Sequence, residues 1–325
     1  MQNTPSQQFE KMNLLSTRKE AFFFVINFLG TEVRIITTDE LNSADIYIDF
    51  PNFKKHTHQN CIQKDFSFQS FPTTLEEYKK GFDIVQNNLK LGNSYLTNYT
   101  TKTPIQTSLD LLDIFNFSKA KYKLFYQNQF VVFSPETYIE IKENIISTHP
   151  MKGTIDASIE NAPEVLKNDI KEKAEHYTVV DLLRNDLSMV ANNVQVDEFQ
   201  RIDFLQTPQK NLYAMSSEIS GKIKPEFEGK IGSILQKLIP AGSILGAPKP
   251  KTLEIILSAE DYDRGFYTGI CGYFDGKNLD SCVMIRFIEE EDGNLYFKSG
   301  GGITHLSKLE DEYQEMKNKI YVPIY

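Results

Sequence analysis

Two pairs of glutamates have a spacing that could bring carboxylates together. Glu172 and Glu175 lie three residues apart, and so do Glu312 and Glu315. In a helix, this spacing places both members of a pair on one face. Carboxylates that gather in a cleft repel one another unless a cation is present, and Mg²⁺ takes one or two direct carboxylates and keeps several waters. The pairs therefore indicate either a magnesium site or two solvated helix faces.

Two stretches of small residues could let the backbone approach a ligand. Residues 300–302 are three consecutive glycines after a predicted strand, where a close approach of a ligand or a β-bulge would explain them. Residues 240–250 form a second such loop before a predicted helix, whose N-terminus could bind an anion. It is not a P-loop, because Gly242 and Gly246 are one residue too close together.

Two basic residues could take part in chemistry. Arg286 lies in an apolar run, and strand alternation would place it on one face with Cys282 and Met284. Its guanidinium could bind a carboxylate through two hydrogen bonds. Lys152 follows a predicted strand and precedes Gly153, where it is either a solvated loop residue or, if buried, a nucleophile.

The elements that must position these residues predict an α+β protein with largely antiparallel sheets. Capping boxes predict helices that begin after Thr74, with Glu77, and after Ser307, with Glu310. Helical patterns also cover residues 163–190, 230–238 and 251–258. Strands are predicted near residues 22–28, 33–37, 46–50, 95–100, 122–125, 130–133, 138–141, 145–148, 265–274, 279–288 and 295–298.

The composition excludes several classes of protein. The net charge of −9 over 325 residues makes non-specific nucleic-acid binding a poor fit. The cysteines Cys61, Cys271 and Cys282 form no Cys-x-x-Cys pair and predict reduced thiols. The apolar run 21–29 is too short to span a bilayer. We therefore expect a cytoplasmic protein that binds neither nucleic acid nor a membrane.

Many short motifs occur in the order of one known family. From about residue 72 to its end, the chain resembles the chorismate-binding domain of the component I subunits of anthranilate and aminodeoxychorismate synthases, and of isochorismate and salicylate synthases. The motifs that carry this resemblance are Ser134-Pro135-Glu136, Pro150-Met151-Lys152-Gly153-Thr154, Glu172-Lys173-Ala174-Glu175-His176, Val180 to Asp186, Gly242 to Lys249, Arg264 to Gly269, Ile285-Arg286, Gly300 to Ile303, and Glu312 to Glu315 with Lys319.

The resemblance implies a fold of two antiparallel sheets that pack against each other, flanked by helices, with the site between them. Residues 1–71 would form a short N-terminal β segment and linker, packed on a catalytic domain of residues 72–325. The implied ligands of Mg²⁺ are Glu175 and Glu315, with Glu172 and Glu312 holding its waters. The implied substrate-binding residues are Arg286, Tyr267, Ser243, Gly301, Gly302, Thr154 and Lys249.

Lys152 distinguishes the branches of the family, since aminodeoxychorismate synthases carry lysine at this position and anthranilate synthases carry alanine. The implied reaction adds the neutral Lys152 amine to C2 of chorismate and expels the C4 hydroxyl, which Glu136 protonates. Ammonia then attacks C4 and releases the lysine. This is the activity of aminodeoxychorismate synthase component I, in para-aminobenzoate and folate biosynthesis. The chain has no amidotransferase signature, so a separate glutamine amidotransferase subunit would supply the ammonia.

Three features depart from the family pattern. Ala214 replaces a histidine, Leu245 replaces a threonine or serine, and motifs that bind feedback tryptophan are not recognisable. The alternatives are anthranilate synthase component I, which would release pyruvate, and a non-catalytic chorismate-binding relative, which the absent histidine favours. Isochorismate synthase is a further alternative.

Overall fold

The computed structural model describes residues 4–55, 66–205 and 211–324, without the side chains of Lys171 and Leu205. Cys61 lies outside the described residues. The chain divides into two compact units, each assembled from three segments. Unit one comprises Met1–Asn42, Glu136–Ile244 and Thr268–Val283, and unit two comprises Ser43–Pro135, Leu245–Tyr267 and Met284–Tyr325.

The helices alternate with clusters of strands along the chain. The helices are α1 (Pro5–Thr17), α2 (Thr38–Ser43), α3 (Leu75–Lys90), α4 (Leu111–Phe117), α5 (Ala162–Asn168), α6 (Ile170–Val190), α7 (Ile231–Leu238), α8 (Gly242–Leu245), α9 (Lys249–Ala259) and α10 (Leu309–Asn318), with a 3-10 turn at Pro225–Phe227. The strands are β1 (Phe22–Ile26), β2 (Val33–Thr37), β3 (Ile46–Asp49), β4 (Lys54–Lys55), β5 (Phe68–Ser70), β6 (Leu96–Thr107), β7 (Tyr122–Tyr126), β8 (Phe130–Ser134), β9 (Thr137–Lys142), β10 (Ile145–Thr148), β11 (Met151–Asp156), β12 (Ala191–Leu205), β13 (Leu212–Ile223), β14 (Gly246–Ala247), β15 (Ile270–Phe274), β16 (Leu279–Val283), β17 (Phe287–Glu291) and β18 (Asn294–Ile303). None of the described helices is long and apolar enough to cross a membrane.

Unit one is built on an antiparallel sheet, nine-stranded in the described residues. Its order is β11-β13-β10-β9-β16-β15-β1-β2, and β12 also pairs with β13. β1 lies between β15 and β2, and all five of its side chains are buried, which explains its unbroken apolar sequence. Helix α6 packs against β11, β12 and β13, and α1 packs against α7.

Unit two is built on a second antiparallel sheet, also nine-stranded in the described residues. Its order is β14-β6-β18-β17-β8-β7-β3-β4, and β5 pairs with β6. Helices α3, α4, α9 and α10 contribute buried residues to its core, which includes Tyr78, Phe115, Ile255, Phe297 and Met316. The predicted fold class, antiparallel sheets with helices, is confirmed. Residues 1–42 fall in unit one and residues 43–71 in unit two, and the domain boundary predicted at residue 71 stays a prediction.

The two predicted capping boxes have different outcomes. Thr74 and Glu77 cap α3 as predicted, and the helix ends at Lys90, shortly before Gly92. The second prediction is wrong, because α10 begins at Leu309 without a side-chain cap. The Ser307 hydroxyl instead donates a hydrogen bond to Glu312 Oε1 at 2.5 Å, within the helix that it was expected to cap.

Several predicted elements have different bounds. The helix expected over 163–190 is two helices, because Asp169 ends α5 and its carboxylate accepts a hydrogen bond from the Glu172 N–H at 2.9 Å. The strand expected over 279–288 breaks before Arg286, whose φ of 54° is left-handed, so the predicted alternation with Cys282 and Met284 is wrong. Residues 300–302 continue β18 rather than follow it.

Some elements were not predicted although a signal was present. Thr4 and Gln7 form a capping box at the start of α1, and Phe9, Met12 and Leu15 are buried at spacings of three residues. The long hairpin of β12 and β13 lacked such a signal, because β12 is rich in charged and amide residues.

The cysteine prediction is confirmed for the described residues, where Cys271 and Cys282 are buried free thiols.

Candidate active site

Lys152 lies at an irregularity in β11. This strand pairs with β13, and its register shifts between Met151 and Thr154. Gly153 has a φ of 80°, and a Cβ atom there would lie 2.8 Å from Glu172 Oε2. Only glycine accepts both this backbone conformation and this approach without strain. The local sequence thus brings the strand that carries Lys152 against the first turn of α6.

His176 is a buried residue to which the sequence analysis gave no role, although it closes the Glu172-to-His176 motif. Its Nε2 lies 2.7 Å from Ser217 Oγ. Burial first, and then the charge of Lys152, lower the pKa of His176 to about 4, so its ring is neutral at neutral pH. Its Nδ1 has no hydrogen-bond partner among the described residues.

Glu136 connects β8 to β9 and is half-buried. Its carbonyl accepts a hydrogen bond from the Val283 N–H at 3.2 Å, and its Oε1 accepts one from the Ser243 hydroxyl at 2.6 Å. Ser243 belongs to α8, directly after Gly242. A Cβ atom on Gly242 would lie 2.6 Å from Asp186 Oδ2, so this glycine allows the close approach of α8 to α6.

In unit two, β18 passes close to α10 at Gly301. A Cβ atom on Gly301 would lie 3.2 Å from Glu315 Oε1 and 3.6 Å from Glu312 Oε2. The Lys319 ammonium forms an ion pair with Glu315 at 2.7 Å and donates a hydrogen bond to the Gly300 carbonyl at 2.8 Å. The two glutamates of α10 therefore share one face of the helix, as their spacing predicted.

The carboxylates fit the donor class that Mg²⁺ prefers. Glu172 and Glu175 lie in unit one, and Glu312 and Glu315 lie in unit two. No group of three or more His, Cys, Asp or Glu side chains that could hold a metal ion occurs within residues 4–55, 66–205 and 211–324. Mg²⁺ needs only one or two direct carboxylates, and the pair beside Gly301 supplies oxygens at a place where the backbone leaves room.

Arg286 lies between β16 and β17, and its Nε is buried without a hydrogen-bond partner among the described residues. Its guanidinium carbon lies 5.7 Å from the ring centroid of Tyr321. Tyr267 is buried, and burial raises the pKa of its hydroxyl, while the charges of Arg264 and Arg286 act in the opposite direction. A buried guanidinium nitrogen without a partner is costly unless an anion binds.

The remaining predicted site residues differ in exposure. Thr154 is exposed on β11, and Lys249 is half-buried at the start of α9. Gly302 lies in β18, one residue beyond Gly301. Ala214 and Leu245 are fully buried. Because both are apolar, neither offers a polar side-chain group in place of the family's histidine and hydroxyl residue.

The motifs and the fold agree with one family. Residues 30–324 match the family described as chorismate binding enzyme. The chain belongs to the chorismate-binding enzyme family. The match begins in the first segment of unit one, at residue 30, and includes every residue that the sequence analysis placed in the candidate site.

Curated relatives lie in several branches of this chorismate-binding family. An uncharacterized PabA-like protein of Pasteurella multocida is 45% identical over 97% of this chain and 98% of its own length. Anthranilate synthase component 1 of Saccharomyces cerevisiae is 30% identical over 89% of this chain and 57% of its own. Aminodeoxychorismate synthase component 1 of Escherichia coli is 29% identical over 89% and 65%. The last two identities are too similar to separate the two reactions.

A solved structure has the same fold. The menaquinone-specific isochorismate synthase of Escherichia coli aligns with a TM-score of 0.75 at 14% identity, over 97% of this chain and 80% of that one. At this identity, the likeness shows the fold alone. The reaction must be inferred from the residues of the candidate site.

Proposed function

We propose that this chain is the ammonia-using subunit of aminodeoxychorismate synthase, which converts chorismate to 4-amino-4-deoxychorismate. The observation that supports this proposal best is the position of Lys152. Its amine is carried by β11, where the strand is irregular, and the next residue, Gly153, packs against Glu172. Glu136, the proposed acid, is held by the Ser243 hydroxyl. An amine nucleophile and a carboxylic acid are the two groups that a displacement at C4 requires.

In the first step, the neutral Lys152 amine forms a bond to C2 of chorismate. Both ring double bonds shift in sequence, from C1=C2 to C1=C6 and from C5=C6 to C4=C5, and the bond between C4 and its oxygen breaks. Glu136 gives its proton to the departing hydroxyl, which leaves as water. The step produces a covalent adduct with a positively charged nitrogen and leaves Glu136 as a carboxylate.

In the second step, ammonia attacks C4, the two ring double bonds return to C5=C6 and C1=C2, and the bond between C2 and Lys152 breaks. The lysine leaves as a neutral amine, ready for another turnover. The new C4 ammonium group then returns one proton to Glu136, which balances the proton lost in the first step. A separate glutamine amidotransferase subunit would supply the ammonia.

The substrate's carboxylates need positive charge and hydrogen-bond donors. Arg286 would pair with one carboxylate, since its Nε has no hydrogen-bond partner among the described residues. The N–H groups of Gly301 and Gly302 would add donors. Glu175 and Glu315 would bind Mg²⁺, with Glu172 and Glu312 holding its waters. The ion would supply positive charge for the ring carboxylate.

The test combines the purified chain with chorismate, an ammonium salt and Mg²⁺, and identifies the product by mass. We expect 4-amino-4-deoxychorismate, no turnover when glutamine replaces ammonium, and a rate at least about 100-fold lower for Lys152→Ala. Lys222→Ala, at an exposed position of β13, is the matched control and should keep the wild-type rate.

Other outcomes identify the alternatives. A wild-type rate for Lys152→Ala would contradict the nucleophile, and release of pyruvate with an o-amino acid would identify an anthranilate synthase. Absence of any product, with chorismate still stabilising the chain, would identify the non-catalytic relative that the buried Ala214 favours.

A further inference from the structure

The Ser243 hydroxyl is already committed to a partner within the chain. Ser243 is 8% exposed, and its Oγ lies 2.6 Å from Glu136 Oε1. A serine hydroxyl has a single proton to donate. While that proton goes to Glu136, the hydroxyl has none left for a substrate carboxylate, which can only accept hydrogen bonds.

The backbone around Ser243 is held by close packing against α6. A Cβ atom on Gly242 would lie 2.6 Å from Asp186 Oδ2 and 3.3 Å from Leu182. The Ile244 N–H also donates a hydrogen bond to the Ala241 carbonyl at 3.1 Å. The position of the hydroxyl is therefore set by the contact between α8 and α6.

Glu136 is fixed at two points. Its carbonyl is bound to the Val283 N–H, and its neighbour Thr137 pairs with Cys282 across β9 and β16. The hydroxyl of Ser243 fixes the other end of the residue, at Oε1. The backbone thus directs the side chain, and the hydroxyl determines how the carboxyl group is turned.

We propose that Ser243 is a positioning residue for Glu136 and not a substrate ligand. This rests on the proposed function, in which Glu136 protonates the departing hydroxyl. With Ser243 donating to Oε1, the transferable proton is carried on Oε2. The serine therefore selects the oxygen from which the proton leaves.

The kinetic test compares Ser243→Ala with Ser243→Thr, which keeps the hydroxyl, over a range of pH. For Ser243→Ala we expect kcat to fall about tenfold, while KM for chorismate changes less than about twofold. Loss of a donor to the carboxylate disfavours its charged form, so the basic limb of the pH–rate profile should move to higher pH. Ser243→Thr should restore kcat and the profile.

Two nearby titratable groups bear on this profile. Burial, and then the hydrogen bond with Cys271, raise the pKa of Cys282 well above its usual range, so its thiol stays protonated through the assay. Asp186 of α6 lies beside Gly242. The pH–rate profile of Asp186→Asn separates any contribution of the Asp186 carboxylate from that of Glu136. Ser16→Ala is the control for loss of a buried hydroxyl in the same unit, because the Ser16 hydroxyl lies within hydrogen-bond distance of the carbonyls of Met12 and Gly229, at 2.8 Å and 2.7 Å.

A rise in KM with unchanged kcat and pH profile would overturn the proposal, because that pattern belongs to a substrate ligand.

A second measurement does not depend on turnover. It therefore distinguishes failure of this proposal from failure of the proposed function. In ¹³C-labelled protein without substrate, the Glu136 carboxyl signal should titrate at higher pH in Ser243→Ala than in wild type or Ser16→Ala. Identical titrations would also overturn the positioning role.

Discussion

At the residue scale, Arg286 combines a positive charge with a buried Nε that has no hydrogen-bond partner among the described residues. Because lysine lacks the planar fork that binds a carboxylate through two hydrogen bonds, Arg286→Lys should raise KM for chorismate about tenfold or more. Steady-state kinetics and calorimetric titration with chorismate both measure this change. Arg34→Lys, on β2 beside Glu32, is the control. An unchanged affinity would mean that Arg286 does not hold a substrate carboxylate.

Glu140 determines part of the acid stability of unit one. The hydrogen bond with His149, at 3.2 Å, lowers the pKa of Glu140 to about 2, with help from Lys142 and against the effect of burial. A carboxyl whose folded pKa lies below its unfolded value stabilises the fold above about pH 4.5, and this contribution is lost as the pH falls towards 2. Glu140→Gln should therefore lower the free energy of unfolding at pH 6 by about 2 kcal/mol.

Urea unfolding at pH 6 and pH 3 measures this effect. The difference between wild type and Glu140→Gln should shrink at pH 3, because part of the wild-type contribution is then lost. Glu143→Gln changes an exposed carboxylate in the adjoining turn and should leave stability nearly unchanged at both pH values. An equal difference at pH 6 and pH 3 would contradict the proposed origin of the low pKa.

Candidate site residues could be named from the sequence, but the residues that contact them could not. Motif order identified Glu136 and Lys152 as candidates. The hydrogen bond between Glu136 and Ser243 joins residues 107 apart in the chain, and its existence depends on how α8 packs on α6. Local patterns contain no information about that packing.

At the element scale, the glycines of β18 show what a local pattern can indicate. The sequence indicated either a close approach of a ligand to the backbone or a β-bulge. The register between β18 and β6 is continuous, without a bulge, and two elements of the protein approach the glycines. A Cβ atom on Gly300 would lie 2.2 Å from the Tyr99 carbonyl of β6, and Gly301 faces the carboxylates of α10. The strand continues through the glycines because each of them pairs with β6.

Gly301→Ala should weaken Mg²⁺ binding. The added methyl group would lie 3.2 Å from Glu315 Oε1, so this carboxylate must shift by a few tenths of an ångström, while Glu312 Oε2, at 3.6 Å, would be in ordinary contact. We expect the Mg²⁺ concentration for half-maximal activity, and the Mg²⁺ dissociation constant from calorimetry, to rise about tenfold, in line with changes next to metal ligands. Asn294→Ala, at the exposed start of β18, should change neither value. Unchanged Mg²⁺ binding in Gly301→Ala would argue against a metal at Glu312 and Glu315.

The break between α5 and α6 could have been predicted. Asp169 precedes Glu172 by three residues, a common helix-start pattern, and the start at Ile170 places Glu172 in the first turn. The continuous apolar periodicity of residues 163–190 concealed this signal. The break near Arg286 had no comparable signal, because its left-handed backbone lies inside an apolar run.

At the scale of the whole molecule, the order of strands could not be predicted from the sequence. β1 pairs with β15, joining Phe22 to Phe274, while β2 follows it directly in the chain. The apolar sequence of β1 is equally suited to many buried partners, because it encodes burial rather than register. Only the family resemblance predicted two sheets, and each unit draws on three separate segments.

The last prediction concerns the stability of the whole chain and needs no turnover. Ligands that bind only the folded state stabilise it, by about 2.7 kcal/mol at a concentration 100 times the dissociation constant. If bound Mg²⁺ contributes to holding the ring carboxylate, each ligand should raise the affinity for the other by the same factor. Without ammonium, chorismate and Mg²⁺ together should therefore raise the unfolding temperature by more than the sum of their separate effects. Arg286→Ala should lose most of the chorismate effect and keep that of Mg²⁺. Strictly additive shifts in wild type would mean that the metal and the substrate bind independently, and would remove Mg²⁺ from the proposed recognition of chorismate.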